Sequence, residues 1–584
     1  MVNENWNPDQ ESGTVIARRG DHWLIFRDPI EAVEAKSVSD VRAALSAVED
    51  AISKGFWAAG FVSYEAAPAF DDALLTREPG DFPLLWFGIY DRIERMGSLA
   101  ELPDGAGSDL RWNPTVSREQ HHAAVESIHE AIARGDTYQV NFTHRLRADF
   151  AGSAWGLFRA LCRSQEARYA AFVNTGRHVL CSASPELFFD LSGTEIVCRP
   201  MKGTLGRGRS SMEDRQRRRQ LQESAKDRAE NVMIVDMVRN DLSRMAVPGS
   251  VIVPKLFEVE QYYTLFQMTS SVTAETIAPL GEIFAALFPC ASITGAPKVS
   301  TMRIIAEIET TPRGIYTGCI GFAGPERQAQ FNVAIRTVHV DRERNLAEYG
   351  TGGGIVWDSK PAEEFEETRT KTAILFTPRP DFDLLETMLW LPASGYFLLG
   401  EHLNRLCDSA DYFGLKVDPE RIFGQLLEHA AALGPHRHKV RLLVAADGSA
   451  RIESAPLDSE RKRRWTVQLA ADPVMTNDRF LYHKTTQRQV YESARATRPD
   501  CDDVLLWNEA GEITESTVAN VVLQMDGRLV TPPIRSGLLG GIYRAHLLQS
   551  GRIEEAVIHK NELFRAERIY LINSVRGWIP VDLQ

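Results

Sequence analysis

The chain is poor in cysteine for its length. Seven are scattered over 584 residues (Cys162, Cys181, Cys198, Cys290, Cys319, Cys407 and Cys501), an odd number with no C-x-x-C pair. That pattern excludes a zinc cage and a disulfide framework, and it predicts a reducing cytoplasm as the protein's home. No cysteine occupies a nucleophile elbow with His and Glu partners, so no stretch reads as a glutaminase. No apolar run is long enough to span a bilayer. The polar stretch Met1 to Ser12 lacks the apolar core of a signal peptide. Positive charge is also in deficit: 66 Lys and Arg stand against 79 Asp and Glu, a net charge of −13. Nucleic acid is therefore not expected as a general partner. A basic and polar stretch, Arg207 to Arg219, is interleaved with Glu213 and Asp214 and has no aromatic partners. It reads as a solvated loop and helix face.

What is present is an ordinary globular composition, 44% hydrophobic and 25% charged. The length exceeds what one core supports, and roughly two to four domains are expected. The chain is organised around Arg199-Pro200-Met201-Lys202-Gly203-Thr204. The glycine-bounded, apolar setting predicts a turn rather than a helix or long strand. If Lys202 is buried there, its ammonium is disfavoured and the free amine becomes a nucleophile. A solvent-facing turn lysine would carry the same residues. Upstream, Ser184-Pro185-Glu186-Leu187-Phe188 offers a carboxyl group among apolar residues, and a raised acid beside a lowered lysine makes an acid and nucleophile pair. Phe188 to Asp190 and Glu195 to Cys198 read as a hairpin, with Glu186 and Lys202 at its two ends.

Around this centre the pattern predicts helices over Ser39 to Lys54 and Ser117 to Arg134, the latter stopped by Gly135-Asp136. His121 and His122 on that helix have no ligand-spaced partner and read as surface residues. Short strands are expected at Trp23 to Phe26, Ala58 to Glu65, Leu84 to Tyr90 and Tyr138 to Phe142, and a connection at Asp104 to Pro114. A helix opens at Lys226 and carries Glu230. Another opens near Glu363, with Glu364 and Glu367 on one face. Carboxylates from two helices suit Mg²⁺, although acids in a first helical turn are favoured by the dipole alone. The loop Phe288 to Lys298 can present backbone N–H groups to an anion. Tyr316-Thr317-Gly318 and Asn332 to Thr337 read as strands, Arg336 as a carboxylate anchor or an edge-strand arginine, and Gly352-Gly353-Gly354 as a tight turn.

Taken together, the stretches Gly135–Asn141, Ser184–Phe188, Arg199–Thr204, Lys226–Leu242, Ser292–Lys298, Tyr316–Phe322, Asn332–Thr337 and Gly352–Lys371 resemble the chorismate-utilising enzymes, over about Val116 to Phe376. Within that family, alanine in place of Lys202 marks the anthranilate-forming branch, and lysine in place of Gln139 marks the branches that activate water. Lysine at the first position and glutamine at the second resemble the branch that aminates chorismate at C4. The resemblance implies that Lys202 attacks C2 while Glu186 protonates the departing C4 hydroxyl, with ammonia then adding at C4. It implies Mg²⁺ on Glu230 and Glu367 beside Glu364, and substrate contacts from Thr294, Gly295, Tyr316, Arg336 and Gly353. Phe266 replaces the His or Trp of many relatives, so a polar role there is lost.

Beyond the proline-rich break Thr377 to Phe382, a second organisation begins. Leu385 to Met388 and Val440 to Val444 read as strands, with a helix around His402 to Leu406 between them. An acid some thirty residues beyond a lysine can hold a pyridinium nitrogen. With their surrounding motifs, Lys484 and Glu515 resemble fold-type IV pyridoxal-phosphate enzymes over residues 384–584, and most nearly the branch that expels pyruvate. That resemblance implies cofactor attachment at Lys484, pyridinium pairing by Glu515, and a phosphate cradle from Arg405, Gly541 and Ile542. Tyr543 stands where many relatives have threonine, and Asn573, Ser574 and Arg576 are further candidates. The expected fold is a two-part α+β and α/β chain: a chorismate-binding β-sandwich with outer helices (1–115 and 116–377), a linker (378–383) and a two-subdomain lyase domain (384–584). The expected function is p-aminobenzoate synthesis for folate, with ammonia from a separate glutamine amidotransferase subunit and a likeness-based homodimer. An anthranilate-forming first half, a transaminase second half and a non-catalytic scaffold are the alternatives.

Overall fold

The computed structural model describes residues 6–99, 102, 110–165, 167–372, 379–457 and 464–584. The junction residues Thr377 and Pro378, and 104–109 of the expected connection, lie outside the described residues. The chain divides into two compact units. One comprises the residues up to Gly206 together with Arg218–Arg379. The other comprises Pro380–Gln584 together with Arg207–Arg217.

The first unit is built on two ten-stranded sheets. One carries Gln139–Asp149 and Leu346–Ile355, paired antiparallel over ten residue positions from Leu346↔Asp149 to Ile355↔Val140. The other carries Leu187–Ser192, Glu195–Arg199, Met201–Gly206 and Leu265–Glu275. Val15, Leu24 and Phe26 from the first sheet share a core with Phe61, Trp86 and Phe322 from the second, so the alternate apolar residues of these strands face one another. A larger cluster buries Val41, Leu45 and Val48 of the helix Val38–Ser53 and Ile234, Val235 and Val238 of the helix Ala225–Ser243. Ser224 caps the second of these, accepting from the Asp227 N–H, and such a cap contributes about 1 kcal/mol. Ser117 and Gln120 form a reciprocal capping box on Arg118–Ala133.

Several local expectations change. His121 is buried, 1% exposed, with its ring against Phe142 and Phe365. Burial pushes its pKa down to about 4, because helix Arg118–Ala133 turns that face to its own sheet. Gly352 to Gly354 form no turn but lie inside the strand Leu346–Ile355. Tyr316 and Arg336 sit in loops that precede the strands Cys319–Gly324 and Thr337–Asp341.

The second unit holds a four-stranded sheet with Leu384–Leu391 and His438–Val444, and an eight-stranded sheet with Trp465–Leu469, Asp503–Trp507, Ile513–Ser516 and Asn520–Met525. The basic stretch read as solvated is instead partly interior here. Arg207 donates from Nε and Nη2 to both carboxylate oxygens of Asp214, each at 2.8 Å, and its guanidinium lies 4.5 Å from the Tyr412 ring centre. Their side chains are 3% and 8% exposed. The charge run misled because its two inward members neutralise each other. Removing one partner of a buried pair leaves the other charge uncompensated, so Arg207→Ala is expected to destabilise this unit by about 3–5 kcal/mol. Urea unfolding followed by tryptophan fluorescence and circular dichroism checks this, and an unchanged midpoint would contradict it.

Candidate active sites

In the first unit a cavity of about 300 Å³ is lined by Glu186, Lys202, Glu230, Tyr316, Arg336, Glu364 and Glu367. The lysine reaches it from a strand, Met201–Gly206, rather than the expected turn. Pairing with Leu265–Glu275 slips between Met201 and Thr204, and Gly203 takes φ 97° there. The irregularity accommodates lysine and glycine within a ladder whose neighbour supplies a long edge. Opposite it, the backbone of Gly354 makes room. A Cβ at that position would lie 2.8 Å from Lys202 Nζ and would collide with the Gln139 amide. The three-glycine run is therefore a thin stretch of strand on which Lys202 and Gln139 rest.

Glu186 is 3% exposed and accepts a 2.6 Å hydrogen bond from Ser292 Oγ. Burial drives its pKa up to about 7, against the opposing pull of Ser292 and the Lys202 charge. Burial lowers the pKa of Lys202, with Glu230 partly restoring it. The two groups are thus pushed toward each other from opposite ends of the scale. Tyr316 and Arg336 flank the buried end. Thr317 has φ 63° and Arg336 φ 50°, left-handed conformations that are costly for a branched or long side chain. They are held because Thr317 N–H donates to Ala334 O and Ala334 N–H to Gly318 O. Arg336 also donates to Gln165 and lies 5.4 Å from the Tyr262 ring centre.

The three expected metal acids line the same cavity, each turned toward a partner. Glu364 accepts from Ser359 Oγ at 2.6 Å, Glu367 pairs with Lys371 at 2.8 Å, and Glu230 lies 4.0 Å from Lys226. Burial raises the pKa of Glu230 and Glu364, while Lys371 lowers that of Glu367. Among the described residues no three acid, His or Cys groups already stand close enough to hold a metal ion. The donor set is nevertheless all carboxylate oxygen, which fits Mg²⁺. Thr294, Gly295 and Gly353, expected as substrate contacts, do not line this cavity. Thr294 is fully buried in the loop before helix Lys298–Ile308. Phe266 packs with Leu221 and Met268 as core. Sequence reasoning missed Ser292 and Lys371. Lys371 stands one helical turn after Glu367, a spacing that could have flagged it.

In the second unit all the expected cofactor residues, Arg405, Lys484, Glu515, Gly541 and Ile542, line one cavity of about 390 Å³. Burial, reinforced by Arg405, lowers the Lys484 pKa to about 8. Burial raises Glu515 to about 7, offset by donation from Leu539 N–H at 3.2 Å and Tyr491 Oη at 2.8 Å. Gly541 precedes helix Ile542–Gln549 and packs so closely on Asn520 that a Cβ would collide with its side-chain oxygen. A helix start with free N–H groups and an arginine beside it suits a phosphate. Arg405 is itself oriented: its Nε and Nη2 donate to Glu386 at 2.8 and 2.6 Å, and Glu386 also bonds His402 Nδ1 at 2.7 Å. Although burial opposes it, Arg405 and His402 hold Glu386 down at about 2, fully ionised. This lysine, acid and phosphate-cradle set fits pyridoxal phosphate. Asn573, Ser574 and Arg576 line the mouth with Lys439 and Arg441, two cations the sequence reading did not single out.

Residues 7–377 match the family model for chorismate binding enzymes. The chain belongs to the chorismate-binding enzyme family. Residues 383–583 match the model for class IV aminotransferases, so a chorismate-binding part is followed by a class IV aminotransferase-like part. The chain is 42% identical over 263 residues to the aminodeoxychorismate synthase of Streptomyces griseus, covering 44% of this chain and 36% of that protein. It is 40% identical over 262 residues to aminodeoxychorismate synthase component 1 of Klebsiella aerogenes, covering 44% and 58%. It is also 40% identical over 364 residues to an anthranilate synthase component 1 of Haloarcula marismortui, covering 54% and 72%. The matched region thus spans about a third to three fifths of the two aminodeoxychorismate synthases. Anthranilate synthase component I of Streptococcus pneumoniae shares the fold, with a TM-score of 0.54 at 23% identity, over 61% of this chain and 92% of that one.

Loosening the Glu386 brace tests the second cavity. Glu386→Gln should weaken pyridoxal phosphate binding by roughly tenfold or more, as loss of an orienting partner does at other bound groups. Equilibrium titration by absorbance reads this directly, and unchanged affinity would show that Arg405 needs no brace.

Proposed function

We propose that the chain makes p-aminobenzoate from chorismate and ammonia in two steps, one in each unit. The observation carrying this reading is the meeting of Lys202 and Glu186 in one buried cavity, with lysine lowered and acid raised. The neutral Lys202 amine adds at C2 of chorismate, the ring double bond shifts, and the C4–O bond breaks. Glu186, steadied by Ser292, supplies the proton that lets the C4 hydroxyl leave as water. Ammonia then forms the C4–N bond, the double bond shifts back, and the C2–N bond to Lys202 breaks, giving aminodeoxychorismate. Tyr316 and Arg336 bind the enolpyruvyl carboxylate. Glu230, Glu364 and Glu367 hold Mg²⁺, which neutralises the ring carboxylate when bound. The two sheets of the first unit, whose apolar residues share a core, support the β-sandwich reading.

In the second unit Arg405 and the start of helix Ile542–Gln549 anchor the cofactor phosphate, and Glu515 pairs the pyridinium. Pyridoxal phosphate supplies an electron sink that acidifies the ring C–H of the bound amine. Lys484, with its lowered pKa, removes and returns protons, pyruvate leaves, and the ring becomes aromatic. The two-sheet organisation of this unit supports the fold-type IV reading, with a homodimer as the assembly. Ammonia comes from a separate glutamine amidotransferase subunit.

Purified chain with chorismate, ammonium, Mg²⁺ and pyridoxal phosphate should yield p-aminobenzoate and pyruvate, identified by mass. Lys484→Ala should stop at aminodeoxychorismate; anthranilate as the product would overturn the assignment of Lys202. Glu186 must be protonated to act, so kcat/KM for chorismate should fall as pH rises through about 7. Glu186→Gln should lose about 10²–10⁴-fold in rate. A flat alkaline limb would remove Glu186 from the acid role.

A further inference from the structure

Behind the chorismate cavity lies a second one, of about 140 Å³, lined by residues that include Gly80, Phe82, Arg145, Arg313, His339 and Leu346. Tyr316 and Gly350 line both cavities. The tyrosine ring lies flat on the backbone of Gly350, so closely that a Cβ there would collide with it. The Tyr316 ring and the Gly350 backbone are thus common to the walls of both spaces. The loop carrying the tyrosine is pinned on the far side: the buried Glu65 carboxylate accepts the Arg313 and Gly314 N–H groups at 2.6 and 2.8 Å.

We propose that the second cavity is the entry chamber for ammonia, which reaches the reacting C4 past the Tyr316 ring rather than through the mouth beside Lys226 and Glu230. This rests on the reading of the first unit as a chorismate-aminating site. Lys226 and the partly exposed Glu230 mark the open end of the chorismate cavity, while Glu186, Ser292, Tyr316 and Arg336 are buried at its other end. Once chorismate and its metal occupy the mouth, a second reactant needs another way in. The chamber wall suits a small neutral molecule. Arg147 pairs with Glu348 at 2.8 Å, Arg313 with Glu309 at 2.7 Å and Arg344 with Asp81 at 2.9 Å, so these cations are already compensated. Arg145, 1% exposed, has its guanidinium 5.0 Å from the Tyr316 ring centre; its Nε is ion-paired with Glu348 Oε1 at 3.9 Å, beyond hydrogen-bond reach, so that N–H makes no hydrogen bond among the described residues. The lone pair of neutral ammonia can accept from that N–H, whereas ammonium has none to offer. Ammonia is about the size of water, whose share of liquid volume is about 30 Å³, so the chamber admits it readily.

Gly80 stands exposed at the chamber's lip, with nothing within 4 Å of a Cβ built there. Gly80→Trp therefore adds a plug without displacing the chain, and Leu346→Trp adds one from the strand Leu346–Ile355. In plugged variants that melt as the parent does, the KM for ammonium should rise roughly fivefold or more, with kcat and the KM for chorismate unchanged. Gly80→Ser should behave as the parent. Unchanged ammonium KM in both plugged variants overturns the entry chamber while leaving the chorismate chemistry standing. A parent chain that consumes no chorismate at any ammonium concentration overturns the underlying reading as well.

Discussion

The first unit depends on how little material separates its reactive groups at one strand. Along Leu346–Ile355, alternate positions on the face toward the site are Gly350, Gly352 and Gly354. Side chains at the first or last of them would occupy space now held by Tyr316, or by Gln139 and Lys202. Long antiparallel pairing with Gln139–Asp149 keeps this poorly β-forming segment extended, because the ladder supplies the order that glycine does not. Lys202, the neighbouring Gln139 amide and Tyr316 are therefore arranged against backbone, which cannot rotate away as side chains do. Strain at Thr317 and Arg336 is tolerated because the same reciprocal backbone bonds fix both loops.

Both units use one electrostatic device. A lysine is taken out of water, which favours its free amine, and a carboxyl group is taken out of water, which raises its pKa toward neutrality. Lys202 with Glu186 and Lys484 with Glu515 are two instances. Each acid is kept from becoming a plain hydrophobic-pocket carboxyl by specific donors: Ser292 for Glu186, and Tyr491 and the Leu539 N–H for Glu515. Desolvation sets the direction of each shift, and hydrogen bonds limit its size.

Much of this was legible in the residues, and unevenly so. The end of the helix expected over Ser117 to Arg134 was legible in Gly135-Asp136, because a helix stop is local chemistry. The pair Glu186 and Lys202 was recognisable from apolar and glycine neighbours. Arg336, Gly352–Gly354 and His121 were misplaced, each for the same reason: local pattern does not reveal the opposing surface. Three glycines resemble a turn unless the neighbouring strand is known, and a helix histidine looks exposed until its helix is seen against a sheet. Thr294, Gly295 and Gly353 came from likeness, and they stand outside the cavity lining. Ser292 and Lys371 escaped because their importance lies in what they touch, Glu186 and Glu367, which are distant or one turn away.

Chain order and packing order disagree at Arg207–Arg217. These residues precede most of the chorismate cavity's wall in sequence, yet they pack with Tyr412 and its neighbours in the second unit. Tyr412 Oη donates to Gly208 O at 2.6 Å, so backbone as well as charge is committed there. A gene cut at the proline-rich break would therefore yield a downstream product missing part of its own interior, and an upstream product carrying the Arg207–Asp214 pair without the Tyr412 backbone and ring it packs against. The two parts are not beads that recombination could exchange at a linker. Their covalent union is written into the interior of the second, which makes co-production in fixed one-to-one ratio a property of the fold itself.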